Sequence, residues 1–140
     1  QALVTPTIFG YPQRKVSGYD LNRLQMIAAV LFKRAGLNLQ NQDIHLNIVG
    51  GLKVNEPALD LAVAMAIFSA LKNVPIANDT IALGELGLGG EIRTVQHLEK
   101  RLQTAEKLGF KFAFVPSAKF TPKNIKLKQI SNIKDLSNLL

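Results

Sequence analysis

Apolar positions along this chain switch between a spacing of about two residues and one of three to four, which predicts strands and helices in alternation. Residues Ala2 to Ile8 alternate weakly and are rich in β-branched types, so a strand is predicted there. Gly10 and Pro12 mark a turn, and Arg14 to Ser17 reads as the return strand of a hairpin. Asp20 stands where a helix N-cap would, its carboxylate placed to accept from a first-turn amide. Leu21, Leu24, Ile27, Ala28, Leu31 and Ala35 then recur at helical spacing, and Gly36 ends the helix in the left-handed conformation that glycine tolerates. Arg23, Lys33 and Arg34 fall off that stripe and give the helix a basic outer side. Met26 and Val30 lie beside the stripe and are candidates for an exposed apolar face between subunits.

Asp43 to Val49 places Ile44, Leu46 and Ile48 on one face of a half-buried strand. Gly50 and Gly51 break it, and a loop over Leu52 to Glu56 leads to Pro57, a residue suited to a first helical turn. The second helix is predicted from Pro57 to about Asn73; it is apolar nearly all round and therefore central. Ser69 inside it is expected to bond back to a carbonyl one turn earlier. Ile81 to Glu85 and Glu91 to Val95 read as short strands around a glycine-rich turn, and His97 to Leu108 as a helix with Leu98, Leu102, Ala105 and Leu108 inward. Strands over Phe112 to Val115 and Ile125 to Ile130, and a last helix over Ile133 to Leu140, complete an α+β or α/β pattern.

Length and composition narrow the class. One domain accounts for 140 residues, and 47% hydrophobic against 19% charged residues excludes a disordered tail. The absence of cysteine removes disulfides, thiolate zinc sites and cysteine nucleophiles from this chain, and it fits a reducing, cytoplasmic setting. No apolar run reaches the roughly 18 residues of a membrane span: Leu59 to Leu71 is interrupted by Asp60. The first residue is Gln1, so the chain is expected to be a piece of a longer protein. The net charge of +7 favours a polyanionic partner.

Little of the sequence supports catalysis. His45 and His97 have no carboxylate at ligand spacing, so no metal site is expected. Gly84 to Gly90 is glycine-rich, but no Lys-Ser or Lys-Thr pair follows and no helix opens at its end, so it reads as a turn and no cofactor is expected in this domain. Ser17, Ser69, Ser117, Ser131 and Ser137 sit in no nucleophile elbow.

Two stretches nevertheless resemble a protease family. Asp43-Ile44-His45-Leu46-Asn47-Ile48, a glycine loop and Pro57-Ala58 before an apolar helix are similar to the proteolytic domain of the Lon peptidases. So are Gly84-Glu85-Leu86, Gly90 to Ile92, the helix from His97, and Ala113-Phe114-Val115-Pro116. The resemblance implies a Lon proteolytic-domain-like fold, whose core topology is shared with a ribosomal-protein domain. It also puts Ala58 in the place of the nucleophilic serine and Glu99 in that of the catalytic lysine, so both halves of the Ser-Lys dyad are missing. Lys100 is one residue on, about 100° round the helix.

A wider resemblance covers nearly the whole chain. Gln1 to Pro6, Asn22-Arg23-Leu24, Lys33 to Leu37, Gly50-Gly51-Leu52-Lys53-Val54, Gly84-Glu85 and Gly90-Glu91-Ile92-Arg93 are similar to the C-terminal Lon-like domain of the bacterial RadA (Sms) family. That resemblance implies one degenerate domain over 1–140, with a zinc finger and a RecA-like ATPase upstream that would hold zinc, ATP and magnesium. It implies a bacterial cytoplasmic protein of DNA repair and branch migration, a homo-oligomer with a hexameric ring, and sequence-independent contact with single- or double-stranded DNA. Lys53 and Arg93, which flank the old active site in such a fold, are the leading DNA-binding candidates, followed by Arg14 and Arg23. Lys126 and Lys128 read instead as guards of a sheet edge. The alternatives are an active Ser-Lys peptidase, which Ala58 argues against, and an RNA-binding module.

Overall fold

A computed structural model describes residues 1–8 and 10–139. The first sheet contains β1 (Ala2–Pro6), β2 (Arg14–Ser17) and β3 (Gln42–Asn47), in the order β1-β3-β2. Helix α1 (Leu21–Ala35) connects β2 to β3, which run parallel with Val16 opposite Leu46. A parallel pair needs such a crossover, whereas a hairpin needs only a tight turn. The expected hairpin is therefore corrected: β1 pairs antiparallel with β3, not with β2, with Val4 opposite Ile44. Ile8 falls beyond the strand and is exposed.

The predicted ends of α1 are present. Asp20 accepts from the Arg23 amide at 2.7 Å, and Gly36 has φ 68° with its N–H bonded to the Leu31 carbonyl. Met26 and Val30 form no free apolar face: Val30 is buried and Met26 packs against the core.

A 3-10 turn (Pro57–Leu59) leads into α2 (Asp60–Lys72), the central helix, which contacts α1 and β1. Leu61, Ala64, Met65 and Ile67 are fully or almost fully buried. The Ser69 hydroxyl donates forward to the Val74 carbonyl at 2.7 Å, not back along the helix, and so helps to close the C-terminus of α2.

The second sheet has β4 (Thr80–Ala82), β7 (Phe112–Val115) and β8 (Lys126–Gln129), all parallel, in the order β4-β7-β8. Helix α3 (Leu98–Lys107) bridges β4 and β7 and buries Leu102 and Ala105 in a second cluster with Ala113, Val115 and Ile125. Leu108 lies just past the helix and is 72% exposed, against the inward position predicted for it. The strand predicted over Ile81 to Glu85 is divided between β4 and β5 (Glu85–Leu86), and the one predicted over Glu91 to Val95 shortens to β6 (Ile92–Arg93); β5 and β6 form a two-stranded antiparallel ribbon. A 3-10 turn (Ile133–Asp135) and α4 (Leu136–Leu139) complete the α+β fold; the predicted last residue of that helix, Leu140, is outside the described residues.

Candidate nucleic-acid interface

The charged centre of the molecule is a carboxylate at the start of the most apolar helix. Asp60 is fully buried, a placement that is costly unless the charge is paired and hydrogen-bonded. Four donors converge on it here. Arg23 donates from Nε to Oδ1 at 2.5 Å and from Nη2 to Oδ2 at 2.6 Å. The Tyr19 hydroxyl donates to Oδ1 and the Leu86 amide to Oδ2, both at 3.0 Å. Side by side, the two arginine bonds make the planar two-point contact that guanidinium favours. Burial raises the Tyr19 pKa well above its ordinary value, and the adjacent Asp60 charge adds to the rise. The bonds to Asp60 likewise raise the Arg23 pKa.

Sequence position put Arg23 on the outer side of α1. The structure corrects this: the side chain is only 24% exposed and turns inward to Asp60. Nothing in the sequence spacing links residues 23 and 60, but a lone carboxylate in an apolar helix is a signal that some cation must come to it.

Arg14 is similarly occupied. It donates from Nη1 to the Gln13 carbonyl at 3.0 Å and to the Gln42 carbonyl, and from Nη2 to the Leu39 carbonyl at 3.1 Å. Burial lowers its pKa, and Asp43 opposes that effect. Arg14 thus closes the loop between α1 and β3.

Lys53 and Arg93 remain on the surface. Lys53 is exposed on the loop after β3, beside a hollow of about 330 Å³ that Tyr19 and Asp20 also line. The loop is held by the Val54 amide on the Gly18 carbonyl at 2.8 Å. Gly18 has φ 77°, and a Cβ there would come within 2.2 Å of the Leu52 carbonyl oxygen, so only glycine fits. Arg93 stands opposite Glu85 in the β5–β6 ribbon and pairs with Glu91. The Glu91 carboxyl is held below its usual pKa by its own backbone amide and then by Arg93. Among the described residues no hydrogen bond or ion pair joins Lys53 to Arg93. Asp60 is what relates them: Tyr19 adjoins the Lys53 loop and Leu86 belongs to the Arg93 ribbon, and both bond the same carboxylate.

Ala58 and Glu99, which the Lon resemblance sets at the dyad positions, have different surroundings. Ala58 is buried, and its carbonyl accepts from the Gly84 amide at 3.1 Å. Glu99 is exposed and accepts from Gln103 at 3.2 Å. The α3 side chain that reaches toward the Ala58 turn is Arg101, which pairs with Glu56. Arg101 lies two positions after Glu99, about 200° further round the helix. Among the described residues no group of histidines and carboxylates could hold a metal ion, and no helix is long and apolar enough to cross a membrane.

Comparison with known proteins supports the resemblance read from the residues. The chain is 49% identical over 140 residues to the DNA repair protein RadA of Streptococcus pneumoniae, covering 97% of this chain and 33% of that protein. It is 52% identical over 116 residues to RadA of Listeria monocytogenes, covering 83% and 25%. It is 43% identical over 139 residues to RadA of Bacillus subtilis, covering 96% and 30%. The chain therefore spans about a third or less of the length of these relatives. The family model that matches is described as subunit ChlI of Mg-chelatase, in place of the Lon proteolytic domain that the motifs suggested, and it covers residues 2–119. With a match over most of its length, this α+β chain belongs to the ChlI family.

Proposed function

We propose that this chain is the non-proteolytic, Lon-like module of a RadA-type DNA repair ATPase, and that it contacts DNA without reading its sequence. The observation that carries the reading is 49% identity over nearly the whole chain to a protein named for DNA repair. The physical chemistry agrees. A net charge of +7 suits a polyanion, and phosphate contacts by exposed cations supply affinity without base recognition. Lys53 and Arg93 supply the first of these contacts. Arg93 is already partnered by Glu91, but an exposed pair of this kind exchanges for phosphate at little cost. Arg23 and Arg14 contribute by holding the two loops in place, since their donors are occupied internally. In this reading nucleotide and metal chemistry belongs to upstream domains, the assembled form is a ring in the bacterial cytoplasm, and this domain helps to build it.

The buried methyl of Ala58 supports holding over cutting, because it offers neither a nucleophilic atom nor an open approach. The test is a salt titration of binding to duplex DNA, single-stranded DNA and RNA. Lys53→Ala and Arg93→Ala are each expected to weaken DNA binding. Each should also reduce the slope of log K against log salt by about 0.9 for every duplex phosphate that the variant no longer neutralises. If both variants matched the parent at every salt concentration, the site assignment would be wrong. Preference for RNA over both DNA forms would move the function to RNA.

A further inference from the structure

We propose that the groove between α3 and the outer edge of β4 docks an extended acidic segment of a partner protein, which adds to the sheet as a strand beside β4. Strand β4 is an edge strand, with β7 on one side only. The Leu83 amide donates to the Phe114 carbonyl at 2.9 Å, so the odd-numbered residues direct their backbone groups toward β7. By the alternation of a strand, the N–H and C=O of Ala82 point the opposite way, toward the groove. No described hydrogen bond satisfies them, and Ala82 is half-buried. Half-buried backbone groups of this kind seek partners, and another strand provides them in register.

The contrast with the far edge of the same sheet is informative. Strand β8 carries Lys126 and Lys128, and the Lys128 ammonium lies 5.0 Å from the centre of the Phe114 ring. Charged side chains of this kind discourage pairing. The β4 edge, Thr80-Ile81-Ala82, has no charge and no proline. One edge of the sheet is guarded by charge; on the other, the Thr80 amide bonds the Ala77 carbonyl and Gly84 bonds Ala58 and Leu61, so Ala82 is the position that stays open.

The walls of the groove set the chemistry of the occupant. It has a volume of about 690 Å³, and Ala62 of α2 and the apolar Leu108 and Phe110 help to line it. Its rim bears His97, Lys100 and Arg101, and no acidic residue lines it. Arg101 is shared with Glu56, which leaves exposed Lys100 as the main attraction for a carboxylate. Nucleic acid would satisfy the rim but not the strand edge, since it has no alternating amide and carbonyl groups to offer. This inference does not depend on DNA contact by Lys53 or Arg93.

The test uses the 140-residue chain and a short fluorescein-labelled peptide of alternating glutamate and valine, with a lysine–valine peptide as control, followed by fluorescence anisotropy. Saturable binding of the acidic peptide alone is expected. Lys100→Glu, a surface change that leaves the fold intact, should weaken it about tenfold or more. Ala82→Pro removes an outward N–H that the sheet does not use and should abolish binding while circular dichroism is unchanged. On the unmodified chain, the peptide should slow hydrogen exchange at the Ala82 amide, a readout independent of any variant. Equal binding of both peptides, or unchanged Ala82 exchange at saturation, would overturn the proposal. So would displacement of the peptide by duplex DNA with the same Lys100 dependence, which would assign the groove to nucleic acid. Self-association of the chain that Ala82→Pro dissolves, without peptide binding, would overturn it too and assign the groove to a second copy.

Discussion

Removing the Asp60 carboxylate is the sharpest perturbation available in this fold. In Asp60→Ala, Tyr19, Leu86 and Arg23 lose four hydrogen bonds to one carboxylate. Breaking a buried ion pair from one side costs about 3–5 kcal/mol, mostly because a charge is left behind without a partner. Arg23 retains 24% exposure and can turn to water, which lowers the cost, whereas the buried Leu86 amide and the Tyr19 hydroxyl cannot both do so. Each such orphan costs about 1–3 kcal/mol. A total loss of about 3–4 kcal/mol is expected, weighting the lower end for the escape of Arg23. The assay is urea unfolding of Asp60→Ala, Arg23→Ala and the double variant, followed by circular dichroism. The double variant should be more stable than the sum of the two losses predicts, with a coupling of about 1–3 kcal/mol. A loss below about 1 kcal/mol in Asp60→Ala, with an unchanged denaturant slope, would refute the view that this carboxylate ties α1, α2 and β5 together.

Three further outcomes follow from particular residues. Ala58→Ser should yield no peptidase activity on an unfolded protein substrate, since position 58 is buried and Arg101 and Glu56 pair beside it; turnover would contradict this. Gly18→Ala should destabilise by about 1–3 kcal/mol in thermal unfolding, from its positive φ and the close Leu52 carbonyl, and a neutral effect would contradict that geometry. Because the Tyr19 pKa is raised on folding, the unfolded chain loses this proton first, so the contribution of Tyr19 to stability falls as pH rises above about 10. Comparing Tyr19→Phe with the parent across that range should show a difference that narrows with alkalinity, and a constant difference would show that the phenol does not titrate this way.

Much of the fold was legible along the chain. Periodicity and the capping residue types placed α1 with both its caps, the apolar α2, and β7 ahead of Pro116, because these depend on contacts within a few residues. The likeness to RadA was legible for the same reason: it is a property of residue order. Tertiary structure decided which strands became neighbours, since β1 and β2 both find β3 and backbone pairing carries no label of its partner. It also decided the work of each cation. The four basic residues singled out in the sequence divide into two that serve internal acceptors, Arg14 and Arg23, and two left at the surface, Lys53 and Arg93. Charge is written in the chain, but its use depends on which distant acceptor the fold brings within about 3 Å, and burial makes that contact far stronger than any available in water.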